Sequence, residues 1–499
     1  MRPTSQRLLA AGALAASALL LSGCGSTVAV TSQVSAGSGS GDGLGGPGST
    51  PQTNEGSTVT AGAGGTSGVI APATGQVQVP TPGATTAAGA PTAGPVLGGG
   101  SSPVAIGRTA GPVKIGYFVL KDTGAAFAAL GYGGLSSGDG KAQVLAAVKL
   151  ANGKGGIGGR QIVPVIYEAD ATGNPSDIYS EACATFLEDN KVAAVVSIIY
   201  ADLLSQCTKN KGVPFIADAT ASTSDDSVKK NPLLVLPNHV SVERAAALEV
   251  RSLVASGWLA ASKKPVIGLI TYNQPGYTKV ESIVRSELSR AGLSLKAVYD
   301  MPSDNPTDGA AAGKSAALKF QASGIDHVLG VDSGFGMSWF TLNAGAQSYY
   351  PKLGMTSLDL PGAFPQLFND RQLDGSAVVG WSPALDTIPS EQPAVSPRTT
   401  ACVKAMTATG QDMSADLARL QSELLCDATW FLTDTFTAGT INGAALRSGL
   451  AALTHGFQST VSFKADPRSN RIAASAYRNA AYSSGCKCYV YSGPLHQIG

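Results

Sequence analysis

Charge is scarce in this chain. Asp, Glu, Lys and Arg make up 14% of its 499 residues, where soluble domains usually carry about a quarter. The formal net charge is +1 and no run of five like charges occurs, so nothing in the sequence draws in a nucleic acid. Histidine is scarcer still, with only His239, His327, His455 and His496. None stands near a cysteine pair at ligand spacing, so neither a metal nor a cofactor is expected. The chain lacks a His-Glu-x-x-His helix and a Gly-x-x-x-x-Gly-Lys-Ser phosphate loop, and a nucleophile elbow of the Gly-x-Ser-x-Gly kind is not expected. The reading is therefore not an enzyme. After the first 24 residues no stretch of eighteen uninterrupted apolar residues occurs, which leaves a second membrane pass unsupported.

What is present begins with export. Arg2 and Arg7 give a positive start, and Leu8 to Leu21 is an apolar run of mainly Leu and Ala. The run closes on Leu21-Ser22-Gly23-Cys24. Small residues at the cut admit the chain to a peptidase, and the cysteine offers a thiol for acylation. This resembles the lipobox of bacterial lipoproteins. The resemblance implies that residues 1–24 are a lipoprotein signal peptide, that Cys24 is the lipidation site, and that the protein is extracytoplasmic and lipid-anchored to the bacterial cell membrane.

Residues 25–112 hold 22 of the 61 glycines and no aromatic residue, and their only charges are Asp42, Glu55 and Arg108. Such a stretch cannot bury enough apolar surface to offset its ordering entropy. It reads as a disordered Gly/Ser/Thr/Pro-rich tether with a root-mean-square span of roughly 50 Å.

From Val113 the texture changes. Strands are expected at Val113–Leu120, Gln161–Tyr167, Val192–Ile199, Val213–Ala217, Leu233–Leu236, Pro265–Tyr272, Leu295–Tyr299, His327–Val331 and Lys352–Thr356. Helical patterns fall between them, at Lys141–Ala151, Pro175–Asp189, Asp202–Lys211, Val242–Ala255, Thr278–Ala291, Lys314–Ala322 and Ser338–Ser348. Asn174-Pro175 pairs an N-cap with a first-turn proline, and Gly292 and Gly324 stand where helices should stop. Apolar strands alternating with helices mean mainly parallel sheets covered on both faces. The series occurs twice, followed by helices at Thr399–Thr407, Asp416–Phe436 and Ala444–Leu453, and late strands at Thr460–Phe463 and Cys488–Tyr491. The expected class is α/β: two doubly wound lobes joined by several chain crossings, residues 113–238 with 384–455 and residues 239–383 with 456–499. The glycine-dense stretch Gly153–Gly159 follows a helix and precedes a strand. That is the reverse of a phosphate-binding loop, so it reads as a helix stop and turn.

Setting Cys24 aside, six cysteines remain, an even number in an exported chain and so a sign of disulfides. Sequence leaves the connectivity open. Local pairing is simplest: Cys183 with Cys207, Cys402 with Cys426, and Cys486 with Cys488, although in an extended strand the last two side chains sit far apart.

One block carries a further likeness. Lys114-Ile115-Gly116-Tyr117 leads through a Gly-rich loop to a helix, then to Asn152-Gly153-Lys154-Gly155-Gly156-Ile157-Gly158-Gly159-Arg160-Gln161-Ile162, a strand ending Tyr167-Glu168-Ala169-Asp170, and a helix opened by Asn174-Pro175. This resembles the leucine/isoleucine/valine-binding proteins of branched-chain amino-acid ABC importers, which have the type I periplasmic-binding fold. The resemblance spans residues 113 to 493, with an added segment at Gly131–Gly140. It implies a monomer that captures a small molecule between its lobes and docks on an ABC permease.

The site is expected outside the carboxyl ends of the strands, where doubly wound sheets bind ligands. In the first lobe these ends are Ile199-Tyr200-Ala201 and Asp218-Ala219-Thr220-Ala221, and the helix opening near Asp202 points its free N–H groups at the cleft. In the second they are Asn273–Tyr277, Asp332–Phe335 and Ser357–Asp359. The resemblance implies that Tyr200, Ala219 and Ala221 hold a ligand carboxylate, that Tyr277 faces the ligand, and that Asp359 pairs with its amino group. Phe335 is a further strand-end aromatic. Each has a plainer role open to it: Tyr277 as a surface residue opening a helix, Asp359 as an N-cap, and Tyr200 and Phe335 as core packing. Ligand identity is not readable; an amino acid or related compound leads. A ligand-sensing receptor of the same fold without a transport role is the alternative.

Overall fold

In the computed structural model, residues 111–125, 136–170, 173–217, 223–302, 306–332, 335–393, 396–413, 416–468 and 470–499 are described. Cys24 and the stretch 25–110 lie outside them.

The first sheet has five strands: β1 (Val113–Lys121), β2 (Ile162–Asp170), β3 (Ala194–Ser197), β4 (Phe215–Ala217) and β5 (Leu234–Val235). Their order is β2-β1-β3-β4-β5 and every pairing is parallel. The inner strands are short apolar runs such as Ala-Val-Val-Ser and Phe-Ile-Ala, buried throughout. That is what a sheet covered on both faces requires. The second sheet contains β6 (Ile267–Tyr272), β7 (Leu295–Met301), β8 (His327–Gly330), β9 (Lys352–Thr356), β10 (Ala377–Gly380), β11 (Ala476–Ser483) and β12 (Cys488–Gln497). Its order is β12-β11-β10-β9-β8-β6-β7. It is parallel from β7 to β10, and β11 and β12 join antiparallel at one edge. The parallel part repeats the winding of the first sheet.

Local chemistry sets the helix ends. Asn174 Oδ1 accepts the Ser176 N–H at 2.9 Å, with Pro175 in the first turn. Gly292 and Gly324 adopt left-handed φ of 70° and 66° where the expected helices stop. The Gly153–Gly159 stretch is indeed a stop and turn: Ile157 and Arg160 bridge antiparallel. Gly156 there has φ 67°, and a Cβ would lie 2.0 Å from the Arg160 carbonyl oxygen, so no other residue fits.

Two apolar cores form, one per sheet. Residues 113–236 pack with Cys402–Ala473, and residues 240–381 pack with Ala474, Ala480 and Tyr489. The chain therefore crosses between cores at 236–240, between Trp381 and Leu385, and at Ala473–Ala474. Phe457, Val461, Ala465 and Ile472 sit in the first core, so the last crossing lies well after the expected 455–456. At that crossing Leu236 N donates to Arg471 O, and Ala474 N to His239 O, at 2.7 and 2.9 Å.

The late region departs from expectation. Thr460–Phe463 is not a strand. Its backbone is tied to the buried Asp427, whose carboxylate accepts the Thr460 N–H at 2.9 Å, the Ser459 hydroxyl at 2.6 Å and the Asn238 amide at 3.1 Å. All three disulfides form as paired locally: Cys183–Cys207, Cys402–Cys426 and Cys486–Cys488. The first joins the helices Pro175–Cys183 and Asp202–Asn210, and the second the helices Pro397–Thr407 and Asp416–Thr435. No helix of the described residues is long and apolar enough to cross a membrane.

Candidate functional site

In each sheet the strand order reverses once, between β1 and β3 in the first and between β6 and β8 in the second. Parallel strands diverging at such a point leave a crevice outside their carboxyl ends. The segments leaving β3, β4, β6, β8 and β9 carry the expected site residues.

Tyr200 follows β3. Its ring stacks on Phe215 at 6.5 Å, and its hydroxyl donates to Asp202 Oδ1 at 2.5 Å. Burial, with the Asp202 carboxylate as neighbour, pushes the phenol far above its ordinary range. The helix Asp202–Asn210 has Ala201 at its N-cap and no side-chain cap, and it carries Asp202 in its first turn. Tyr277 closes the single turn Pro275–Tyr277 after β6. It is buried, not a surface residue, and packs on Tyr272 at 5.4 Å. Phe335 opens the helix Phe335–Ala346 after β8. Ala219 and Ala221 lie outside the described residues.

Asp359 is fully buried after β9. One oxygen, Oδ2, accepts the Thr356 N–H at 2.6 Å and the Thr356 hydroxyl at 3.0 Å, forming a capping box with that residue. The other, Oδ1, is buried with no hydrogen-bond partner. Gly330 makes room for it: a Cβ there would stand 2.8 Å from Asp359 Oδ1.

Two more buried acids join it. Asp332 leaves β8 and accepts the Met337 N–H through Oδ2 at 2.7 Å. Glu249 projects from the middle of the helix Val242–Ala255 and is fully buried beside the Gly330 backbone. Burial, then the charges of Asp332 and Glu249, holds the Asp359 carboxyl well above the carboxylate range. Glu249 is raised by burial and by Asp332. Among the described residues no ion pair joins Glu249 or Asp359 to a Lys, Arg or His. Sequence reasoning reached Asp332 only as a strand-end residue and missed Glu249. A signal existed: Val242–Ala255 buries residues on almost every side, so Glu249 has no solvent face to occupy.

The string Gly134-Leu135-Ser136-Ser137-Gly138 has the Gly-x-Ser-x-Gly spacing, against expectation. It is no elbow. Ser136 is exposed and its hydroxyl accepts the Gly138 N–H at 3.2 Å, while Ser137 is buried against Thr123 at 2.9 Å.

Near these loops the two halves touch. Lys279, just after Tyr277, pairs with Asp226 of the helix Asp225–Lys230 at 2.6 Å. Trp339, Leu360 and Leu385 pack in the first core.

A family model described as a periplasmic binding protein matches residues 112–483. No curated protein matches the chain. Among solved structures, the solute-binding protein of an ABC transporter from Rhodopseudomonas palustris HaA2, in complex with p-hydroxybenzoic acid, superposes with a TM-score of 0.56. It is 12% identical, over 78% of this chain and 97% of its own. An ABC transporter substrate-binding protein from Desulfitobacterium hafniense, in complex with Leu, gives 0.52 at 16% identity, over 76% and 100%. An extracellular ligand-binding receptor from Rhodopseudomonas palustris HaA2 gives 0.51 at 15% identity, over 77% and 100%. At these identities the likeness is one of fold.

Proposed function

The chain belongs to the periplasmic binding protein family, and from that premise we propose that it is an extracytoplasmic lipoprotein, anchored through Cys24, that captures an amine-bearing small molecule and delivers it to an ABC permease. Its family members are solute-binding proteins of the ABC-transporter type. The ligand would enter between the loops after β1 and β3 on one side and those after β6, β8 and β9 on the other.

The observation that carries the ligand class is the buried trio Glu249, Asp332 and Asp359, with Asp359 Oδ1 left without a partner. Buried carboxyls are costly to ionise, and an arriving ammonium would lower that cost and would satisfy the open oxygen of Asp359. The opposite lobe offers the uncapped N-terminus of Asp202–Asn210, which suits a ligand carboxylate. An amino acid or related compound has both groups.

A thermal-shift series with aliphatic amino acids, small amides and aromatic carboxylates tests this. Amino acids should raise the melting temperature, and Asp359→Asn should weaken that binding by at least about tenfold, since a charge-assisted hydrogen bond is worth about 1.5–3 kcal/mol. Stabilisation by aromatic acids alone, or full affinity in Asp359→Asn, would remove the amine reading. The anchor is tested by Cys24→Ala, which should release the protein from membranes.

A further inference from the structure

A groove of about 460 Å³ opens in the first lobe. The helix Asp225–Lys230 forms one wall, the helix Gly443–Ala452 another, and Pro467, Arg468, Asn470 and Arg471 the third. Its lining carries Lys229, Arg447, Arg468 and Arg471 against one acid, Asp225. In a chain this poor in charge, four cations around one cavity are unusual.

Their partners show which charges are free. Arg468 is answered by Asp466 at 2.6 Å. Arg471 is half-buried and donates only to carbonyls: Val228 O at 2.7 Å, Asn231 O at 2.7 Å and Leu234 O at 3.2 Å. Carbonyls orient the guanidinium without cancelling its charge, and burial pulls its pKa down for want of a carboxylate. Lys229 reaches Asp226 only at 3.8 Å, and Asp226 is already held by Lys279 at 2.6 Å. Arg447 is exposed, and among the described residues no ion pair or hydrogen bond engages it. Two uncompensated guanidiniums and a loosely held ammonium thus face one cavity, with Asp225 offsetting about one charge.

We propose that this groove is an oxyanion site for a phosphate-bearing ligand, held by Arg447 and Lys229 at the rim and Arg471 at the floor. Guanidinium forks match phosphate oxygens in pairs, and a dianion balances the surplus charge. The cavity is of the size that takes small molecules. Free phosphate compounds and lipid phosphate headgroups share this chemistry.

The test uses the full-length Cys24→Ala protein at low ionic strength. Calorimetric titration with inorganic pyrophosphate should give saturable one-site binding. Arg447→Gln with Lys229→Gln should weaken it by at least tenfold, with an unchanged circular dichroism spectrum and melting temperature. Arg447→Lys should restore part of the affinity, which a merely structural role would not do. Arg471 is left intact because its three carbonyl bonds support the fold. In parallel, sedimentation with phosphatidylglycerol vesicles, compared with phosphatidylcholine, assigns the source: loss of vesicle binding in the double variant points to a lipid headgroup, and binding of pyrophosphate alone points to a free phosphate compound. No saturable binding in either arm, or binding indifferent to Arg447 and Lys229, overturns the proposal.

Discussion

At the scale of single residues the most informative groups are buried acids. Burial, only partly offset by hydrogen bonds, raises Asp386 to about 7, Glu423 to about 7 and Asp427 to about 6. A native state that keeps these protons to higher pH than the unfolded chain is favoured in acid. Their contribution is complete below the ordinary carboxylate range, near pH 4, and is lost as pH rises to 7. Burial depresses His239 to about 4, so its contribution runs the other way, lost as pH falls from about 6.5 to 4. Three acids outweigh one imidazole over this window, and Asp359 and Glu249 add to their side. The melting temperature should therefore be higher at pH 5 than at pH 7.5. Asp386, which accepts the Tyr491 hydroxyl at 2.7 Å, can be changed to Asn with little loss of shape. Melting curves of Asp386→Asn should show a visibly flatter pH dependence, and an unaltered slope would mean that Asp386 is ionised throughout.

At the scale of elements, close packing of the helices Pro306–Ala322 and Phe335–Ala346 depends on two glycines. A Cβ on Gly309 would lie 2.0 Å from the Trp339 ring, and one on Gly313 would lie 2.6 Å from the Trp339 backbone. The indole fills the space that side chains would take. Gly309→Ala should cost about 1–3 kcal/mol by overpacking, read by denaturant unfolding, and Trp339→Leu should recover part of that loss in the double variant. The helix-joining disulfides Cys183–Cys207 and Cys402–Cys426 each span 24 residues, and each should contribute about 3 kcal/mol. Reductant should lower the melting temperature, and a thiol titration of the unreduced folded protein should find none of these four cysteines free.

At the scale of the whole molecule, the Lys279–Asp226 pair joins the halves beside the β6 loop. Both side chains are about half exposed, so the pair adds little to global stability. It can still bias the balance between open and closed arrangements, because that balance turns on small differences. Lys279→Ala should leave the melting temperature nearly unchanged while enlarging the radius of gyration of the unliganded protein in small-angle scattering. A bound solute should contract it again. Scattering profiles that overlay with and without Lys279 would show that the pair does not govern closure.

The core strands could be read from sequence because apolar runs such as Phe215–Ala217 and Lys352–Thr356 are bounded by turn residues and have nowhere to go but a covered sheet. The helix stops at Gly292 and Gly324 were equally local facts, and the disulfides follow the simplest local pairing of a connectivity that sequence left open. Other features exist only through distant partners. β11, Ala-Tyr-Arg-Asn-Ala-Ala-Tyr-Ser, has no strand-like pattern and is made a strand by β10 and β12. Thr460–Phe463 looks extended and apolar, yet it is drawn out of any sheet by Asp427. Glu249 lies 83 residues before Asp332 and 110 before Asp359 in the chain, and only the stacking of its helix on β9 and β10 brings the three acids together. The sequence by itself determined the alternation of strand and helix and the covered parallel sheets, because hydrophobic period and backbone caps act over a few residues. Tertiary structure alone decided which acids share a site, where the chain crosses between lobes, and which arginines are left without a counter-charge, because those depend on contacts between residues far apart along the chain.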